Sequence, residues 1–98
     1  MTVILHTVNK SPGMSGALAA CLRFRLPGDA LLLLEDGVYA ALDTPDSCLR
    51  DYPDTVYALS ADVIARGLNA GLLPGVSLVD YPGFVTLCTQ YDSVKNWS

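Results

Sequence analysis

Apolar and polar positions along the chain alternate in blocks that read as strand, helix, strand, helix. Thr2 to Thr7 predicts a short strand, and Asn9 to Gly16, with Pro12, Gly13 and Gly16, a loop. Ser15 can cap a helix that runs to about Arg25, and Pro27-Gly28-Asp29 is a turn. Ala30 to Leu34 is continuously apolar, the signature of a strand covered on both faces. Asp36 is placed to cap a short helix over Val38 to Leu42. Asp43 to Asp54 is polar and reads as an exposed loop. Thr55 to Leu59 predicts a third strand, followed by a helix that Ser60 caps and Gly67 ends. Val76 to Val79 is the fourth strand. Asp80 is the N-cap of a last helix with Pro82 in its first turn. Phe84, Leu87, Cys88 and Tyr91 share one face of that helix. Val94 to Ser98, with Trp97, is left as a tail. Strands alternating with helices imply crossover connections: an α/β protein of about four mostly parallel strands, with helices on both faces in three layers.

Composition adds a surplus of apolar surface. The 98 residues suffice for one domain, read as spanning 1–98. Of these 51% are hydrophobic and only 16% charged, so a subunit interface is the natural place for the excess. The same excess suggests self-association when partners are absent. The net charge is −4, and Arg23 and Arg25 are the closest basic pair. Direct nucleic-acid binding needs a basic patch and is not expected. No signal peptide and no apolar run near the ~20 residues of a membrane helix are seen, so the expected location is cytoplasmic.

Candidate chemistry is sparse. Beyond the carboxyl ends of the strands lie His6, Asn9 and Lys10, Glu35 and Asp36, Ser60, and Asp80 with Tyr81. They form no recognisable triad. One histidine and three widely spaced cysteines make no zinc site, and Glu35-Asp36 reads as a helix cap before it reads as a metal site. No metal and no cofactor are expected. Pro12 to Gly16 occupies the place of a phosphate loop but matches neither dinucleotide nor P-loop spacing. A flavodoxin-like ligand module therefore ranks last. Cys48 is flanked by Asp46 and Asp51, which disfavour a thiolate, and Cys88 lies on an apolar helix face. Cys21 shares an apolar stripe with Ala17, Ala20 and Phe24, while Arg23 and Arg25 lie close in sequence. Pattern alone leaves it between a packing residue and a thiol reachable at a subunit seam.

Four blocks of the chain resemble the DsrH/TusB family. They are Leu5 to Pro12 (LHTVNKSP), Ala30 to Leu42 (ALLLLEDGVYAAL), Val56 to Leu68 (VYALSADVIARGL), and Val76 to Trp97 with Asp80, Tyr81, Gly83, Phe84 and Val85. The resemblance implies a DsrE/F-like fold and a small subunit of a sulfur-relay complex. Its partners would be DsrE/TusD-like and DsrF/TusC-like subunits in a 2:2:2 heterohexamer, with a DsrC/TusE-like sulfur carrier. The output would be tRNA wobble-uridine 2-thiolation or sulfur oxidation. In that family the principal sulfur-carrying cysteine belongs to the DsrE/TusD subunit. DsrH-branch members carry a cysteine in the first helix, where Cys21 stands, which implies a secondary sulfur acceptor there and tilts the expectation toward that branch. The alternative is a non-catalytic scaffold subunit of the same assembly.

Overall fold

A computed structural model describes residues 2–98. Five strands, β1 (Ile4–Val8), β2 (Ala30–Leu33), β3 (Val56–Leu59), β4 (Val76–Val79) and β5 (Ser93–Trp97), form one sheet in the order β4-β3-β2-β1-β5. Every pairing is parallel, with Leu5 opposite Ala30, Leu31 opposite Val56, Val56 opposite Val76 and Val8 opposite Trp97. The connecting elements are α1 (Ala17–Phe24), a 3-10 helix (Glu35–Ala41), α2 (Ser60–Ala65) and α3 (Tyr81–Gln90).

The topology explains which face each helix takes. From β1 to β4 the chain steps one strand at a time in one direction. Right-handed crossovers then place every connection on the same face. Leu18 and Cys21 of α1, Val38, Ala40 and Ala41 of the 3-10 helix, and Val63 of α2 accordingly pack with Val8, Leu31 and Leu33. The connection from β4 to β5 runs the other way, and α3 lands on the opposite face, with Leu87, Phe84 and Cys88 against Leu5, Ala30 and Leu32. Strand β2 feeds both cores through alternate side chains and is buried along its whole length. Its unbroken apolar run is the consequence.

The local signals act as their chemistry dictates. Asp80 Oδ1 accepts the Gly83 amide at 2.8 Å and so caps α3, with Pro82 in the first turn. Gly67 stops the α2 segment at φ +67°, where its amide bonds to Ile64 O and the next amide to Val63 O.

Several expectations need correction. Ser15 lies one residue ahead of the α1 N-cap, Gly16, although its Oγ accepts the Ala17 amide at 3.1 Å. Asp36 does not cap the short helix: that helix starts at Glu35, its N-cap is Leu34, and Asp36 instead bonds Arg66. Ser60 is the first residue of α2 rather than its cap; the nearby Asp62 carboxylate serves the Glu35 amide at 2.6 Å. The tail is a fifth strand, β5, paired with β1. Gly37 allows the tight passage after β2, because a Cβ there would collide with the carbonyl oxygen of Val8.

Candidate functional site

Cys21 sits on the buried face of α1, 1% exposed, as its helical spacing with Ala17 and Leu18 requires. Burial and, secondarily, the Asp29 charge push its thiol up to about 11; the Arg25 charge acts in the opposite sense. In this setting the thiol is protonated at neutral pH and is a poor nucleophile.

Asp29 is the hub beside it. The turn before β2 delivers this carboxylate into the core at 1% exposure. Oδ1 accepts the Ile4 amide at 3.0 Å, and Oδ2 accepts the Leu26 amide at 3.1 Å and His6 Nε2 at 2.8 Å. Burial raises its pKa, but those hydrogen bonds outweigh it and hold the carboxyl below 3.8. The Tyr52 hydroxyl donates to the Asp29 carbonyl at 3.0 Å, and the Arg25 guanidinium lies 4.7 Å from the centre of the Tyr52 ring and pairs with Asp54. Burial pushes the Tyr52 phenol up, with Arg25 again opposing.

His6 is fully buried at the centre of β1, not at its carboxyl end. Its Nδ1 accepts the Trp97 indole N–H at 3.0 Å. Asp29, Cys21, Arg25, Tyr52, His6 and Trp97 thus form one polar and aromatic neighbourhood between α1 and the sheet. Sequence reasoning singled out Cys21 and His6 separately and read Asp29 only as a turn residue.

The other sequence candidates do not converge on a reaction centre. Asp36 and Asp62 share Arg66, at 2.9 and 3.7 Å. Asn9 leaves a buried Oδ1 without a partner, while Lys10 and Tyr81 are exposed. Among the described residues no group of three or more His, Cys, Asp or Glu side chains could hold a metal ion. Cys88 is half-buried against the α3-side core, and Cys48 is exposed. Cys48 lines a shallow pocket of about 170 Å³ with Pro12, Tyr39 and Ser47. A larger cleft of about 350 Å³ opens at the start of β3 and β4, between Tyr52, Asp54, Leu73 and Val76. No described helix is long and apolar enough to cross a membrane.

The family model described as DsrH like protein matches residues 10–94. The chain belongs to this family. This DsrH-like chain is 44% identical over 96 residues to Protein TusB of Escherichia coli K12, covering 96% of the chain and 100% of that relative. Protein TusB of Shigella flexneri matches to the same extent. Among solved structures, the ychN protein of E. coli shares the fold with a TM-score of 0.75 at 22% identity, over 98% of this chain and 99% of that one. Protein Tm0979 of Thermotoga maritima does so with a TM-score of 0.64 at 25% identity, over 89% and 92%. The expected family and α/β class therefore hold for this DsrH-like chain, with one more strand than the sequence suggested.

Proposed function

We propose that the chain is a subunit of a cytoplasmic sulfur-relay complex. In that complex persulfide sulfur passes between cysteines of partner chains and ends in 2-thiouridine at the tRNA wobble position. The full-length likeness to TusB carries this reading. The partners are DsrE/TusD-like and DsrF/TusC-like subunits in a 2:2:2 heterohexamer, and a DsrC/TusE-like protein carries the sulfur. Exposed Met14, Phe24, Leu26, Tyr39, Ile64, Leu78, Tyr81 and Val85 supply apolar surface for such an assembly. In this reading the chain completes the complex, and its Cys21 thiol, buried and protonated, packs the core.

A second reading gives Cys21 a turn as sulfur acceptor; it rests on the cysteine's place in the first helix, as in the DsrH branch, and Arg25 offsets only part of the burial that keeps the thiol protonated. The Cys21 thiolate would attack the outer sulfur of a donor persulfide. A new S–S bond forms on Cys21, the donor S–S bond breaks, and the donor leaves as a thiolate, with no net oxidation. The same acceptor would suit sulfur oxidation with a DsrC-type carrier.

Co-expression with TusC- and TusD-type subunits tests the proposal. The expected result is one co-purifying complex that restores 2-thiouridine to the tRNA of a strain lacking its own TusB. A chain that neither co-purifies nor restores the modification would sink it. Peptide mapping after exposure to a persulfide donor separates the two readings. One added sulfur on Cys21, absent from Cys21→Ser, supports the acceptor; an unchanged Cys21 within the complex supports packing.

A further inference from the structure

The His6 neighbourhood has a direction. The Asp29 carboxylate can only accept, so His6 Nε2 carries the proton of their 2.8 Å hydrogen bond. The Trp97 indole N–H can only donate, so His6 Nδ1 is the acceptor of their 3.0 Å bond. Trp97 donates to His6, and His6 donates to Asp29. No other proton arrangement satisfies both contacts.

Each end of this relay fastens a different element. Trp97 closes β5, an edge strand whose other residues are exposed and whose sole described neighbour is β1. Asp29 accepts the amide of Leu26, two residues beyond the end of α1. Between them stands the Phe24 ring, edge-on to His6 at 6.1 Å and to Trp97 at 5.5 Å. The Lys95 ammonium lies 5.3 Å from the Phe24 ring centre and 4.9 Å from that of Trp97. Cys21 lies one helical turn before Phe24, in the core cluster against which Trp97 packs.

We propose that the Trp97–His6 hydrogen bond is a latch that keeps the indole and the end of α1 packed against the core cluster that holds the Cys21 thiol. Segments that bury few side chains open at lower free energy than core strands, and in β5 only Trp97 is partly buried. The Trp97 side chain makes one hydrogen bond, from its indole N–H to His6, beside aromatic contacts to His6 and Phe24, the Lys95 ammonium and packing against the α1-side core. Releasing the indole frees Phe24 and uncovers the core cluster beside it, and Cys21 becomes reachable while the β1–β5 ladder and its Thr7–Asn96 bond stay in place. The bearing of the latch on sulfur transfer rests on the acceptor reading above. The latch itself is read by access alone, so each can fail without the other.

The test follows alkylation of Cys21, Cys48 and Cys88 in the full chain by iodoacetamide, with peptide mapping over time. Trp97→Phe keeps an aromatic ring and removes the donor. His6→Gln keeps an N–H for Asp29 near the Nε2 position and removes the Nδ1 acceptor. Both variants should raise the Cys21 rate about tenfold, the effect of losing one buried hydrogen bond, with Cys88 unchanged. An unchanged Cys21 rate in either variant overturns the latch. So does a parallel rise at Cys88, which would mean general loosening. If one variant does not fold, the other decides alone by the same criteria.

Discussion

Trp97 and Asp29, 68 positions apart in the numbering, are joined through the two ring nitrogens of one histidine. The outermost strand is thereby tied to the carboxylate that enters the core ahead of β2. Asp29 has three N–H donors and no exposure to speak of, so its charge is supported by this network alone.

Asp29→Asn should cost about 3 kcal/mol at neutral pH, the scale for removing one partner of a buried charged network. The amide cannot accept from all three donors at once. The sign of the acid dependence follows from the depressed pKa. An unfolded Asp29 takes up its proton near 3.8, the folded one only at lower pH. Its contribution is complete above the unfolded value and drains away as pH falls through the folded one. Urea melts between pH 6 and pH 2 should show a steeper acid loss in the parent than in Asp29→Asn; equal slopes would contradict the assignment.

Cys21 predicts the opposite limb. Its folded thiol titrates near 11 against an ordinary value of 9.0. The folded state therefore holds a proton that the unfolded state has lost, and stability falls as pH rises from 9 toward 11. The loss is roughly 2–3 kcal/mol at about 1.4 kcal/mol per unit. Cys21→Ala should flatten that limb relative to the parent, whatever its cost at pH 7.

Thiol modification of the native chain should follow exposure. Cys48 should react first, Cys88 next and Cys21 last, because Cys48 is exposed, Cys88 half-buried and Cys21 buried. Mass spectrometry of a partial alkylation gives the order directly, and early labelling of Cys21 would be incompatible with its packing.

Two glycines should respond very differently to alanine. At Gly67 there is open space, but φ is +67°, so Gly67→Ala should cost about 1 kcal/mol through backbone conformation alone. At Gly37 the new methyl meets the Val8 carbonyl itself. Gly37→Ala should cost upwards of about 3 kcal/mol or prevent soluble expression, since backbone on both sides must shift. Thermal melts of the two variants side by side check the contrast.

Four strands and the capped last helix were legible in the sequence because they rest on local signals. Leu31 to Leu33 are apolar without interruption, and Asp80 with Pro82 marks a helix start whatever surrounds it. Strand β5 was not legible. Ser93, Lys95 and Asn96 are poor strand formers, and only Val94 and Trp97 carry an apolar signal. Its place is fixed by pairing with β1, by the Thr7 hydroxyl donating to Asn96 and by Trp97 donating to His6, all contacts about ninety residues apart. The site divides in the same way. Helical spacing placed Cys21 on an apolar stripe, and the fold turns that stripe into the core. The pairing of Asp29 with His6 crosses 23 residues and has no periodic trace.

The position of β5 also bears on how the protein is made. β1 sits between β2 and β5, so one of its two edges can be satisfied early and the other only by residues near position 95. During synthesis the first strand leaves the ribosome long before its second neighbour exists, and a nascent chain carries Leu5 to Val8 with one flank open. That flank is where a chaperone, or a strand of another nascent chain, would find the unfinished sheet, until Trp97 arrives to close it.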